Sequence, residues 1–153
     1  IQQFSQTFGS AFDSSTHKVD HVVEAGSLTL GGIELRIQPT AEAFDVEIPE
    51  INAVYTHMLG HDCHSIVAGA EHAEGLIAQL RGYMQRGYDL ILTSHYTPED
   101  LKDAQTKIDY LEALKVIAAS CRDGAAFKAE VLRRYPDYSG ENYLDMTTGC
   151  FFG

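Results

Sequence analysis

The feature that most constrains the fold is a change in the spacing of apolar residues near residue 69. Over residues 21–58, apolar and polar residues alternate in short runs that Gly26, Pro39 and Pro49 punctuate, a pattern typical of β-strands. Beyond Gly69, apolar residues recur at helical spacing instead. The sequence therefore predicts a mixed α/β (α+β) fold, in which an antiparallel meander is followed by helix, strand, helix and helix.

Local signals set the expected boundaries within this pattern. Gly31 and Gly32 lie between two strand-like runs and predict a tight hairpin turn. Helices are predicted over residues 71–87, 98–121 and 125–134, the second beginning with Thr97 as N-cap and Pro98 in the first turn. Residues 89–93 form a short strand that is apolar on both faces, so its central residues are expected to be among the most buried: Leu90, Ile91 and Leu92.

The two ends of the chain differ from this body. Residues 1–20 are polar, but Phe4, Phe8 and Phe12 recur every fourth residue, which predicts a short helix that docks on the body through one face. The tail from residue 137 to 153 is predicted to be irregular. Because the chain begins with Ile1 rather than Met, further residues are expected upstream.

Charge and composition exclude some functions. The chain of 153 residues has a formal net charge of −11, which disfavours binding to nucleic acid and to anionic membranes. It contains no apolar run long enough to span a membrane. Three well-separated cysteines favour reduced thiols and a cytoplasmic location over a disulfide framework.

Possible metal ligands are concentrated directly after the last strand of the meander. Imidazole, carboxylate and thiol groups fall within eight residues: His57, His61, Asp62, Cys63 and His64. Their spacing matches no specific zinc motif. Two interpretations stay open, a loop in which at least one of them contacts a metal ion and a polar loop whose histidines make ordinary hydrogen bonds.

A further histidine, His95, follows the apolar strand after the small residue Ser94, and the next helix begins directly after it. This order of strand, small residue, histidine and long helix resembles the last zinc-ligand segment of the metallo-β-lactamase-fold metallohydrolases. The stretch around Pro49 and Glu50 also resembles that family's strand pair around a Pro-Glu turn. The resemblance covers about residues 27–145. It implies half of an αββα sandwich over residues 21–145, between a docking segment at residues 1–20 and a tail at residues 146–153.

The sequence departs from the family pattern at most metal positions. The HxHxDH signature is absent, and Gln38-Pro39-Thr40 stands where the family has a histidine, although Glu42 is close. The place of the metal-bridging Asp falls on Met58 by strand alignment, or on Asp62 if the loop is slightly longer. The resemblance thus implies zinc as cofactor and His95 as a ligand, with too few ligands for an active site in this chain alone.

Three functional interpretations remain from the sequence. The chain is the C-terminal portion of a metallo-β-lactamase-like metal-dependent hydrolase, inactive in isolation, or a non-enzymatic interaction domain derived from that fold, or a small metal-binding protein that uses the cluster at residues 57–64. The expected partner is a second copy of the chain or a missing N-terminal half, and the substrate is not readable. We expect His95 to lie close to at least one of the four other candidate ligands: His57, His61, Asp62 and His64.

Overall fold

A computed structural model describes residues 5–6, 9–13, 21–23, 25–40, 43–57 and 59–153. A five-stranded sheet runs in sequence order through β1 (Gly26–Leu30), β2 (Ile33–Pro39), β3 (Phe44–Ile48), β4 (Ala53–Thr56) and β5 (Leu90–Thr93). The first three pairings are antiparallel, and β4 and β5 pair in parallel. This confirms the predicted mixed α/β fold with an antiparallel meander.

The short connections agree with the turn signals of the sequence. Gly31 and Gly32 join β1 to β2 with φ angles of +58° and +89°, a left-handed backbone that favours glycine. A single 3-10 turn, Pro49–Ile51, joins β3 to β4. Phe4 and Phe8 of the predicted docking helix lie outside the described residues.

The helices are α1 (Ala70–Arg86), α2 (Leu101–Ser120), α3 (Gly124–Arg134) and α4 (Glu141–Phe152). Helix α1 ends at Gly87 in the left-handed conformation, as the sequence predicts. Two predictions were wrong: α2 begins at Leu101 rather than at residue 98, and the tail forms α4 instead of an irregular segment. No helix in the described part of the chain has the length and apolar content needed to cross a bilayer.

The later start of α2 has a cause outside the helix. The amide and carbonyl of Glu99 bond to the carbonyl and amide of Ile91 at 2.9 and 2.8 Å, which holds Glu99 in an extended conformation beside β5. Asp100 then serves as N-cap, and its side chain and that of Asp103 form a reciprocal capping box. The cap that the sequence placed at Thr97 therefore lies three residues later.

Tertiary contacts, rather than a clear apolar period, fix α4. Leu144 and Thr147 are fully buried. The Thr147 hydroxyl donates to the Ser65 carbonyl at 2.7 Å and accepts from the Val67 amide at 2.8 Å. These bonds tie the tail to the segment between β4 and α1.

The helices cover one face of the sheet. Val54 of β4 and Ile91 of β5 are directly paired, and both are buried in one apolar cluster with side chains of all the helices. On the same face of β3, Asp45 accepts hydrogen bonds from Gln79 and Tyr83 of α1. The core thus lies between this face and the helices.

The opposite face, called the open face here, is apolar along every strand. By strand register, it carries Leu28, Leu30, Ile33, Leu35, Ile37, Phe44, Val46, Ile48, Tyr55, Leu90 and Leu92. Leu30, Ile33 and Phe44 are each about half exposed, at 56%, 50% and 49%. The prediction for β5 was therefore right only for Ile91, because Leu90 and Leu92 project onto the open face and are only partly buried.

Candidate metal centre at the ends of β4 and β5

Two histidines meet where the parallel strands β4 and β5 end. Thr56 pairs with Thr93, and His57 and His95 follow them on the loops that leave the sheet. The carboxyl ends of parallel strands lie at one edge, where α/β proteins commonly bind ligands. The two imidazole rings form an edge-on pair with centroids 5.3 Å apart. The predicted proximity of His95 to another candidate ligand is thus seen for His57.

Backbone and side-chain bonds fix the turn that carries His95. The Thr93 hydroxyl donates to the Tyr96 carbonyl and accepts from the Tyr96 amide, each at 3.2 Å. The Ser94 amide donates to the His57 carbonyl at 3.2 Å, which links the two loops directly. Both histidines are exposed to solvent, so a metal ion would reach them without a rearrangement of the core.

The ring separation suits a shared metal ion, but the number of donors is small. Two imidazoles bound to one tetrahedral zinc through nitrogens at about 2.0–2.2 Å place their ring centroids about 5 Å apart. The His57–His95 separation of 5.3 Å fits that value. A catalytic zinc site usually has about three protein ligands and one open position, so this pair supplies two of the ligands of such a site.

His61, another candidate ligand, lies in a second cluster. Its Nδ1 is 2.7 Å from Oε1 of Glu99 and 3.5 Å from Oδ1 of Asp103. Among the described residues, these three form the group of metal-type donors that lie within 4.8 Å of one another. Sequence reasoning missed Glu99 and Asp103 because both fell within the helix predicted over residues 98–121.

The buried carboxylate of Glu99 already has structural partners. Glu99 is only 4% exposed and accepts hydrogen bonds from the amides of Gly60 and His61, at 3.1 and 2.8 Å. Asp103 is engaged in the cap of α2. The cluster therefore anchors the loop after β4 to the start of α2, and His61 forms an ion pair with it when protonated.

Lys107 and Tyr96 also hold the loop that follows β4. The buried ammonium of Lys107 donates to the carbonyls of Gly60 and Cys63, at 2.9 and 2.6 Å, and burial lowers its pKa to about 8. The Tyr96 hydroxyl donates to the Cys63 sulfur at 2.8 Å. The residue that follows His95 is thus fastened to the same loop.

The other two candidate ligands have different surroundings. His64 is fully buried, its Nδ1 is 2.8 Å from the Tyr110 hydroxyl, and burial followed by the charge of Lys107 lowers its pKa. Asp62 is exposed, and its carbonyl accepts from the Ser139 amide at 3.1 Å. In the described part of the chain, neither belongs to a group of three metal-type donors. Met58 and Glu42 lie outside the described residues.

A pH dependence follows from the environment of His61. Burial lowers its pKa, but the hydrogen bond to Glu99 and the charges of Asp103 and Asp62 outweigh burial and leave the pKa above the usual 6.5. A raised folded-state pKa adds stability that is complete below pH 6.5 and is lost as pH rises through the folded-state value.

We therefore expect the difference in unfolding free energy between the natural chain and His61→Gln to shrink as pH rises from below 6.5. Urea titrations of both proteins between pH 5.5 and about 8 measure it. His21→Gln, at an exposed position, serves as control. A difference that is constant over this range, or that grows with pH, contradicts the assigned ion pair.

Comparisons with known proteins support the fold. No family model matches the sequence, and a search of curated proteins finds no relative. Among solved structures, a stereoselective inverting sec-alkylsulfatase from Pseudomonas sp. matches with a TM-score of 0.58 and 17% identity, over 82% of this chain and 24% of that chain. This match shows a shared fold.

Two further structures match with TM-scores below 0.5. A metallo-β-lactamase from Pontibacter korlensis gives 0.45 at 14% identity, over 60% of this chain and 47% of that chain. TMB-1 gives 0.39 at 13% identity, over 72% and 53% respectively. The match to the alkylsulfatase confirms the prediction from the sequence at the level of the fold alone. The chain spans about a quarter of the alkylsulfatase and about half of each of the other two.

Proposed function

We propose that the chain is the C-terminal portion of a metallo-β-lactamase-like, metal-dependent hydrolase, to whose metal centre it contributes His57 and His95. The observation that carries this proposal is the meeting of the two rings, 5.3 Å apart, at the carboxyl ends of β4 and β5. His57 and His95 would hold a zinc ion in such a centre, and the chemistry it would supply is a lowered pKa of a bound water molecule and polarisation of the bond to be cleaved. The chain's own contribution is to hold two imidazoles next to each other at one edge of the sheet.

The open face supports the idea that a second structural layer completes this centre. Monomeric proteins rarely expose an apolar surface that extends over five strands. A second sheet packed on this face, as in an αββα sandwich, would bring the ends of its own strands to the edge that carries His57 and His95. Donors from that sheet would supply the ligands that this chain lacks, so the chain alone is expected to be inactive.

The same surface favours one alternative. A non-enzymatic domain of this fold would cover its open face with a second copy, since two-fold dimers are the commonest closed assemblies. His57 and His95 would not need to bind a metal ion in such a dimer. Metal binding therefore distinguishes the two candidates, and the cluster at residues 57–64 is less favoured as a site by itself because its histidines have three different surroundings.

The test is a titration of the metal-free chain with Zn²⁺ by calorimetry. We expect one ion per chain, and at least about a tenfold loss of affinity in both His57→Ala and His95→Ala, since each removes one of two nitrogen ligands. His21→Ala is the matched control at an exposed histidine and should bind as the natural chain does.

Two results would overturn the proposal. One is affinity unchanged by His57→Ala and His95→Ala. The other is affinity lost in His61→Ala and retained in His95→Ala, which would move the site to the cluster with Glu99 and Asp103. A chain that binds no Zn²⁺ at all would favour the non-enzymatic alternative.

A further inference from the structure

Ser94 connects the two histidines of the candidate metal centre. Its amide donates to the His57 carbonyl at 3.2 Å, and its own carbonyl carbon is bonded to the nitrogen of His95. Any shift of Ser94 therefore moves both imidazoles. Because Ser94 is exposed and follows the last residue of β5, strand pairing alone does not hold its side chain.

The side chain of Tyr55 reaches Ser94 from the neighbouring strand. Tyr55 pairs with Leu92 on the open face, and Ser94 is two residues further along, so its side chain is the diagonal neighbour on the same face. Long aromatic side chains can contact such a diagonal neighbour. The Tyr55 hydroxyl and the Ser94 hydroxyl form a hydrogen bond.

We infer that Tyr55 is a positioning residue for the metal centre, acting through Ser94 to hold His57 and His95 at the separation that one metal ion needs. This role rests on the proposed function, because it concerns the binding of a metal ion. The contact between the His57 and His95 rings is present without metal and can be measured independently. The Thr93–Tyr96 bonds restrain the backbone of the turn, and the Tyr55–Ser94 bond is the side-chain contact that ties this turn to β4.

Nuclear magnetic resonance of the metal-free full chain tests the inference directly. The natural chain should show cross-relaxation between the ring protons of His57 and His95, because the ring centroids are only 5.3 Å apart. Tyr55→Phe and Ser94→Ala should weaken this signal, whereas Ser94→Thr keeps a hydroxyl and should restore it. In parallel, Zn²⁺ affinity should fall about tenfold in Tyr55→Phe and Ser94→Ala, the lower end of the loss seen when outer partners of metal ligands are removed.

Tyr88→Phe is the matched control. It also removes a tyrosine hydroxyl that donates a hydrogen bond, here to Glu47 on the helix-covered side of the sheet. Thermal unfolding of every variant shows whether it is folded, and Ser94→Ala, at an exposed position, serves as the second variant if Tyr55→Phe does not fold.

The inference is overturned if Tyr55→Phe and Ser94→Ala keep both the ring contact and an affinity within about twofold, or if Tyr88→Phe reduces them equally. A different result would contradict the proposed function. If the natural chain binds no Zn²⁺, that function fails, and the ring contact in the metal-free variants still decides whether Tyr55 positions the histidines.

Discussion

Replacing Glu99 with alanine should destabilise the fold by about 3–5 kcal/mol, the range seen when one partner of a buried charged network is removed. The Glu99 carboxylate is buried and accepts from the amides of Gly60 and His61. Alanine leaves these donors without their acceptor, and an unsatisfied buried donor costs about 1–3 kcal/mol. It also removes a negative charge close to the buried ammonium of Lys107.

Urea unfolding of the two proteins at one pH measures this effect. Asp103→Ala is the matched control, because it removes the other carboxylate of the cluster, which is partly exposed and closes the cap of α2. Loss of a cap typically costs about 1 kcal/mol. Glu99→Gln should fall between the two, since an amide oxygen still accepts from one backbone donor. A cost for Glu99→Ala no greater than that for Asp103→Ala would show that the loop is not anchored here.

Glu99 also shows what could not be predicted from the sequence. Thr97, Pro98, Glu99 and Asp100 satisfy the usual rules for a helix start, and those rules depend only on neighbours in the chain. The structure places the helix later because Glu99 pairs with β5. That contact is formed by the fold as a whole, and no local spacing in the sequence encodes it.

The tail is a similar case. Gly140 precedes α4, Gly149 lies within it, and Met146 is exposed on its surface, so the apolar pattern of the segment is weak. What fixes the helix is burial of Leu144 and the two bonds of Thr147 to a segment about eighty residues earlier. Helix stability in proteins comes mainly from such packing rather than from propensity.

The candidate site was predictable to the extent that strand order determines it. His57 and His95 each follow an apolar strand, and strands paired in parallel bring the residues after them to one edge. The surroundings of His61 and His64 were not predictable, because they depend on which faces of α2 carry Asp103 and Tyr110. Three histidines that lie within eight residues of the sequence therefore have different surroundings: His57 lies at the edge of the sheet, His61 in an ion pair and His64 in a buried position.

Ile91→Ala should cost about 2–5 kcal/mol, as for other fully buried aliphatic side chains. Ile91 has no exposed surface, pairs with Val54 in β4, and lies in the apolar cluster between the sheet and the helices. The substitution removes three carbon atoms from that cluster. Ile91 lies between the sheet and the helices, so the cavity left by alanine can be filled only partly. The packing contacts of the missing atoms are therefore not replaced.

Leu92→Ala is the informative control, because Leu92 is the next residue in the same strand but projects onto the open face. If that face is exposed in solution, Leu92→Ala removes fewer contacts and should cost clearly less than Ile91→Ala when both are measured by urea unfolding. A cost for Ile91→Ala below about 0.5 kcal/mol would show that β5 is peripheral, against the burial described above. A different result would show that a second copy covers the open face. In that case both variants would lose a similar, large amount of unfolding free energy, and the urea midpoint of the natural chain would rise with protein concentration.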